Sequence, residues 1–403
     1  MKTNRRQLIQ ASLAATTALS ANLQAASAAD APYRRIATEE AFCTPEISTA
    51  WLQLLANNPK SEPGFAAFWR DGMGSVGTFI TQLSNVVGAP QTTRLLDFIS
   101  AAAAKQGRTG PEVAFARLFD FGGERLKIMD QAGIAFQVLS LTSPGVQVFD
   151  AELGTALARH ANDRLAEVVR ANPTRFAGLA AVAPQAPLEA AKEAERAIRT
   201  LGLKGVLINS HTKGEYLDEP KFRPLLAKIE ELRVPLYLHP REVAPAMLAP
   251  FDTYPGLSAA TMGFSVETGL HALRLIFGGV FDDFPNLKVI LGHMGEGLPF
   301  WIDRIDNRSA YLDQGPGRKV RKLRKRPSDY LRENFYITTS AMNHEPHLAL
   351  ALKVMGPERI MFAVDYPYED TAPQVLAMNK AQITEREKTM IYQTNAERIF
   401  GLV

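Results

Sequence analysis

Four residues of this chain combine types and positions that could hold a divalent cation and move a proton. Glu39 follows the apolar run Arg35-Ile36-Ala37-Thr38, and His239 closes the run that ends in Leu236-Tyr237-Leu238. His293 stands just beyond Leu287-Lys288-Val289-Ile290-Leu291, and Asp365 just beyond Ile360-Met361-Phe362-Ala363-Val364. Hard carboxylate oxygens together with a neutral imidazole suit Mn2+ or Zn2+. Taken singly, a strand-end histidine is more often a satisfied structural residue than a ligand. Four ionisable groups at equivalent positions make a stronger case, because an active site needs several groups converging on one point. With Cys43 as its single cysteine, the chain can build neither an internal disulfide nor a multi-cysteine metal site, so any ion must be held by His and carboxylates.

The elements that must position these groups are legible as a rhythm. Eight short apolar runs, at 35–38, 136–141, 176–182, 205–209, 234–238, 287–291, 335–339 and 360–364, are bounded by turn residues and read as strands buried on both faces. Helix-period segments lie between them, among them 151–171, 188–201, 220–232 and 266–281. Strand and helix alternating eight times predict an α/β chain folded as a (β/α)8 TIM-like barrel, with an open doubly wound sheet as the alternative. In a barrel the active site gathers at the C-terminal ends of the strands, so the four residues share one rim, and Glu39 on the first strand neighbours Asp365 on the last. Residues 46–124 form a helical insertion after strand one and are expected to act as a lid. Among the other histidines, His160 and His271 fall inside amphipathic helices and His344 and His347 begin one. His211 follows strand four and could reach a substrate.

Residues 1–29 form a separate object. Arg5 and Arg6 precede an uncharged, Ala-rich stretch from Ala11 to Ala26, and Ala26-Ser27-Ala28 supplies the small residues a signal peptidase accepts. This layout predicts an export signal of the twin-arginine type and a periplasmic enzyme comprising residues 30–403. The apolar stretch is too short to be a good membrane span. A formal net charge of +3 gives no reason to expect a nucleic-acid partner. The basic run 318–326 has no interleaved aromatics and reads as a solvated face.

The motifs in combination resemble the decarboxylase branch of the amidohydrolase superfamily, the 5-carboxyvanillate decarboxylase type in particular. The matching stretches are Arg35 to Phe42, Leu141-Thr142-Ser143-Pro144-Gly145-Val146-Gln147, Ile208-Asn209-Ser210-His211-Thr212 and Val266-Glu267-Thr268-Gly269. They continue with Gly292-His293-Met294-Gly295-Glu296 running to Arg304-Ile305-Asp306, then Asp365-Tyr366-Pro367-Tyr368 and Gln393-Thr394-Asn395-Ala396-Glu397. The resemblance implies one divalent ion, Mn2+ favoured and Zn2+ possible, on Glu39, His239 and Asp365. It makes His293 and Glu296 the neighbouring acid/base pair, and Arg304 a contact for the substrate carboxylate; Tyr368 and His211 join as substrate contacts. Ala41 stands where related decarboxylases often carry a further histidine ligand, and the vanillate-type branch shares that alanine. Arg108 or Arg117 of the insertion could add a substrate contact.

The implied reaction is non-oxidative decarboxylation of a hydroxylated aromatic acid, with Asp365 carrying the proton to the ring. No oxidant, flavin or nucleotide is needed, and no Gly-rich phosphate loop is present. The same ion could instead activate a water against a lactone or amide carbonyl, a hydrolase reading that the metal site alone leaves open. A binding protein that has lost catalysis is a third reading, against which the intact Glu39, His239, His293 and Asp365 speak. Relatives imply a homo-oligomer, dimer or tetramer, acting on a small aromatic carboxylate with no nucleic-acid or membrane partner.

Overall fold

The computed structural model describes residues 32–72, 111–311, 321–342 and 344–402. Its strands are β1 (Ile36–Phe42), β2 (Phe136–Leu141), β3 (Phe176–Gly178), β4 (Ala180–Ala181), β5 (Val206–Asn209), β6 (Leu236–His239), β7 (Val289–Leu291), β8 (Phe335–Thr338) and β9 (Ile360–Met361). All neighbours pair in parallel, in the orders β1-β2-β3 and β4-β5-β6-β7-β8-β9. β3 and β4 are the expected third strand broken at one residue. There Leu179 N donates to Leu139 O at 2.8 Å and Ala180 N to Gly205 O at 2.8 Å, so the chain passes from one neighbour to the other. At the other junction Thr38 N donates to Phe362 O at 3.1 Å and Ala41 N to Tyr366 O at 2.7 Å, which joins the first strand to the last. The architecture is the (β/α)8 barrel that the strand-helix rhythm predicts.

The continuous apolar runs have a physical cause, since each strand buries both faces. Ile36, Val138, Ala177, Leu207, Tyr237, Ile290, Tyr336 and Met361 pack into one cluster, which Ala396 and Phe400 of the helix Asn395–Phe400 close off. Alternate residues such as Ile208, Leu238, Leu291 and Ile337 belong instead to the larger cluster shared with the helices. The helix Ala151–Ala171 shows how that outer layer forms. The Asp150 side chain caps it by accepting from Leu153 N at 2.8 Å, and Ala158, Ala161, Leu165 and Val168 make its buried stripe.

β1 runs further than its apolar residues suggest, so Glu39 and Glu40 lie inside the strand rather than after it. Its pairing passes from Ala37 opposite Gln137 to Glu40 opposite Leu139, three steps against two. That extra residue is a bulge, a device that re-aims side chains beside a site.

Two parts of the insertion lie among the described residues. The helix Pro45–Asn57 fixes Trp51, whose indole N–H donates to Gly145 O at 2.8 Å. Trp51, Phe65, Trp69 and Phe115 then follow edge to face, with centroids 5.9, 6.2 and 5.8 Å apart. Glu62 ties this part to the barrel, accepting from Arg241 Nη2 at 2.9 Å just beyond β6. Residues 73–110 of the expected lid, with Arg108, and the expected export signal lie outside the described residues. In the basic run, Arg321, Lys325 and Arg326 pair with Asp283, Glu333 and Asp329. Among the described residues no helix is long and apolar enough to cross a membrane.

Candidate active site

Glu39 is buried at the barrel mouth, and its Oε2 accepts from Thr338 Oγ1 at 2.7 Å and from Ser340 Oγ. These hydroxyls aim the other oxygen, Oε1, at His239 Nε2 (3.6 Å) and His293 Nε2 (3.9 Å). Gly292 lets the carboxylate sit there, because a Cβ at that position would lie 2.5 Å from Glu39 Oε1.

His239 ends β6 opposite Asn209 at the end of β5. Its Nδ1 lies 3.0 Å from Asn209 Oδ1 and 2.8 Å from Pro240 O. The peptide oxygen can only accept, so Nδ1 carries a hydrogen, and Nε2 is the nitrogen turned towards Glu39. Outer hydrogen bonds of this kind fix the tautomer of a ligating histidine.

His293 begins a left-handed turn after β7. His293, Met294 and Glu296 have φ values of 47°, 54° and 53°, a region that costs a non-glycine residue about 1–3 kcal/mol. The turn brings Glu296 Oε1 to 2.7 Å from His293 Nδ1, and Ser340 Oγ accepts from His293 N at 3.0 Å. His293 Nε2 then lies 3.6 Å from Asp365 Oδ2.

Asp365 lies four residues past β9, also left-handed, with φ 74°. One ligand atom from each of Glu39, His239 and Asp365 falls within 4.8 Å of the others. Buried Glu39 Oε1 has no hydrogen-bond partner. A bare carboxylate oxygen is costly to bury unless a cation answers it, and the O, N, O donor set suits Mn2+ or Zn2+. The three residues therefore fit a divalent ion.

The two carboxyls are pushed apart. Burial works to raise Glu39, but facing His293 and His239, with the Ser340 hydroxyl, outweighs it and holds Glu39 below the usual range. Burial raises Asp365; its contacts with His293 pull the other way, the Glu39 charge adds to the rise, and the net displacement is upward. Burial would lower His293, yet the Glu296 and Glu39 carboxylates overcome it and hold the imidazole well above its ordinary value.

Other expected residues fare differently. His211 is buried, its Nε2 lies 3.1 Å from Glu242 O, and its Nδ1 accepts from Gly214 N at 3.1 Å. Both nitrogens are occupied in holding the rim together. Tyr368 does face open space. Its hydroxyl lies 2.6 Å from Thr142 Oγ1, and with Ser143, Trp51, Phe65 and Phe115 it lines a cavity of about 540 Å³. Arg117 lines the same cavity and donates to Glu124 at 2.8 Å. Arg304 is exposed on the helix Leu298–Ser309, and no hydrogen bond or ion pair joins it to another described residue of the site. Residues that sequence reasoning passed over include Asn209, Thr338, Ser340 and Gly292. The strand-end rule that found His239 could have found the first three, since each closes or follows a strand.

Cation-assisted chemistry at a carbonyl or carboxyl carbon is what such a barrel rim equips a protein for, and this defines its class as a metal-dependent barrel enzyme. Residues 113–402 match the amidohydrolase family model (Amidohydro_2), and the chain belongs to that family. It is 40% identical over 293 residues to a γ-resorcylate decarboxylase of a Rhizobium species, covering 71% of this chain and 89% of that one. Among solved structures it is similar to 5-carboxyvanillate decarboxylase of Novosphingobium aromaticivorans, with TM-score 0.79, 38% identity, and coverage of 92% of this chain and 97% of that one. That structure holds manganese and 4-hydroxy-3-methoxy-5-nitrobenzoic acid. It is also similar to 2,6-dihydroxybenzoate decarboxylase from Rhizobium, with TM-score 0.72, 34% identity, and coverage of 92% and 99%.

Proposed function

We propose that this chain is a carboxy-lyase that removes CO2, without oxidation, from a hydroxylated aromatic acid of the 2,6-dihydroxybenzoate or 5-carboxyvanillate kind, using one Mn2+ or, second, Zn2+. The observation that carries the reading is the unpartnered Glu39 Oε1 ringed by His239, His293 and Asp365, in a chain similar to named decarboxylases over most of its length.

Glu39, His239 and Asp365 would hold the ion. When bound, the ion would supply Lewis-acid stabilisation of negative charge on the substrate's oxygens. Asp365 delivers a proton to the ring carbon bearing the carboxylate. The bond from that carbon to the carboxylate breaks, its electron pair restores the aromatic ring, and CO2 departs. His293, 3.6 Å from Asp365 Oδ2 and clamped by Glu296, returns a proton to Asp365. Tyr368 orients the ring from the cavity side.

Purified protein loaded with Mn2+ should release CO2 from 2,6-dihydroxybenzoate or 5-carboxyvanillate, and chelation should abolish this. Asp365→Asn should remain folded and lose at least about 100-fold in kcat, the ordinary worth of a placed general acid. Consumption of lactones or amides in place of the acids would remove the decarboxylase reading.

Two further parts of the reading concern context. The paired Arg5-Arg6 and the small-residue site at Ala26-Ser27-Ala28 support export by the twin-arginine route, testable by sequencing the N-terminus of the secreted form. Phe300 and Trp301, 68% and 52% exposed on the helix that also carries Arg304, support a homo-oligomer that covers this face, testable by light scattering.

A further inference from the structure

We propose that Glu40 is a positioning residue that holds Asp365 in its working pose by gripping the peptide groups on either side of it. The inference rests on the part assigned to Asp365 above and adds a residue outside the ligand set.

Asp365 has φ 74°, a conformation an aspartate leaves unless its surroundings over-determine it. The regular ladder cannot supply that constraint, because β9 ends at Met361. Backbone bonds from β1 reach the segment only at its margins, from Thr38 N to Phe362 O and from Ala41 N to Tyr366 O. Between these margins a side chain takes over. Glu40 Oε1 accepts from Val364 N at 3.0 Å and Oε2 from Tyr366 N at 3.3 Å. Asp365 is the single residue between those two donors, so one carboxyl group fixes both ends of the kink that aims it.

Glu40 is itself pinned. It is fully buried, and Gln137 Nε2 donates to its Oε2 at 3.4 Å. Gln137 Oε1 in turn accepts from Arg125 Nη1 at 3.3 Å, and the buried Arg125 donates to Ala41 O at 2.7 Å. The chain of contacts runs from the helix Glu124–Ala132 through β2 to β1 and ends at the Asp365 peptide groups. The bulge in β1 explains how adjacent residues serve one site from two sides. Glu39 meets the hydroxyls at the end of β8, while Glu40 meets the backbone beyond β9.

Glu40→Gln tests this at constant size, because the amide keeps one acceptor and turns a donor towards a backbone N–H. Apoprotein titrated with Mn2+ and followed by electron paramagnetic resonance should show an affinity about 10- to 100-fold weaker, the usual consequence of removing a group that orients a ligand. The signal of bound Mn2+ should change shape. With 2,6-dihydroxybenzoate, kcat should fall by at least about tenfold while KM stays within about threefold, since the contact acts on the proton carrier and not on substrate binding. Gln137→Met, which leaves both backbone bonds in place, should weaken Mn2+ in the same direction by a few-fold. A merely structural Glu40 would lower the melting temperature of the apoprotein and leave the affinity and spectrum of the folded fraction alone, and that result overturns the proposal. If Glu40→Gln does not fold, unchanged affinity in Gln137→Met overturns it. A wild-type protein that binds Mn2+ but releases no CO2 sinks the decarboxylase reading, while the Mn2+ titrations still decide the role of Glu40.

Discussion

Replacing His271 by glutamine should make the fold less sensitive to acid, by an amount the structure sets. His271 is fully buried on the helix Gly263–Phe277, with Nε2 accepting from Leu217 N at 2.9 Å and Nδ1 3.2 Å from Ser210 Oγ. Burial, helped by the nearby Arg274 charge, pushes its pKa down to about 3. The unfolded chain titrates near about 6.5, so the native state demands a neutral ring that the unfolded state is free to protonate. Above that pH the group is neutral in both states and contributes nothing pH-dependent. Below it stability is lost progressively, until the folded pKa is reached. Proton uptake by the unfolded form is worth about 0.2 kcal/mol at pH 7 and about 2 kcal/mol at pH 5. Glutamine carries no such proton, although it forfeits hydrogen-bond quality by a pH-independent amount of about 1–2 kcal/mol. The penalty of His271→Gln, measured by guanidinium unfolding, should therefore shrink by about 2 kcal/mol between pH 7 and pH 5. Glu40, raised by burial to about 8, titrates in both proteins and cancels in the difference. Parallel stability curves for the two proteins across that interval would refute the reasoning.

Two other perturbations follow from single contacts. Gly292→Ala places a methyl group 2.5 Å from Glu39 Oε1, so the carboxylate must move and Mn2+ affinity should fall on the order of 10- to 100-fold, read by calorimetric titration; wild-type affinity would show that Glu39 is not a ligand. Arg241→Met leaves Glu62 and Glu242 buried without their shared cation and should cost about 3–5 kcal/mol in denaturant unfolding, whereas a loss below about 1 kcal/mol would mean the insertion is not anchored there.

Hydrophobicity located every strand of the barrel because parallel strands bury both faces and stop abruptly where polar chemistry begins. The same signal misjudged β1. The run it marks stops at Thr38, yet the strand continues through Glu39 and Glu40 to Phe42, and both carboxyls find partners inside the barrel. It also could not show the break at Leu179, since the residues on both sides are equally apolar. The strand-end rule placed Glu39, His239, His293 and Asp365 correctly on one rim. It could not tell them from His211, which stands two residues past Asn209 at the end of β5. What separates His211 is the closure of both its nitrogens by Glu242 O and Gly214 N, contacts made by residues distant in the chain or turned back by a loop.

The working shape of the rim is likewise a long-range property. His293, Met294, Glu296 and Asp365 all lie at positive φ, where local preference would place glycine or asparagine. Only Gly292, Gly295 and Gly297 hint at this in the sequence. Two of these residues, His293 and Asp365, are answered by contacts from another strand or the following turn. Ser340 takes the His293 N–H, Glu40 takes the N–H groups flanking Asp365, and Tyr368 N and Glu369 N both donate to Asp365 O. Side chains chosen for chemistry are thus held in backbone states they would not choose, and part of the restraint comes from Ser340 and Glu40, which stand outside the ligand set. A substitution at Ser340 or Glu40 should consequently disturb the ligand geometry more than one at an exposed residue equally close in sequence, because local flexibility in this rim is suppressed by contact and not by composition.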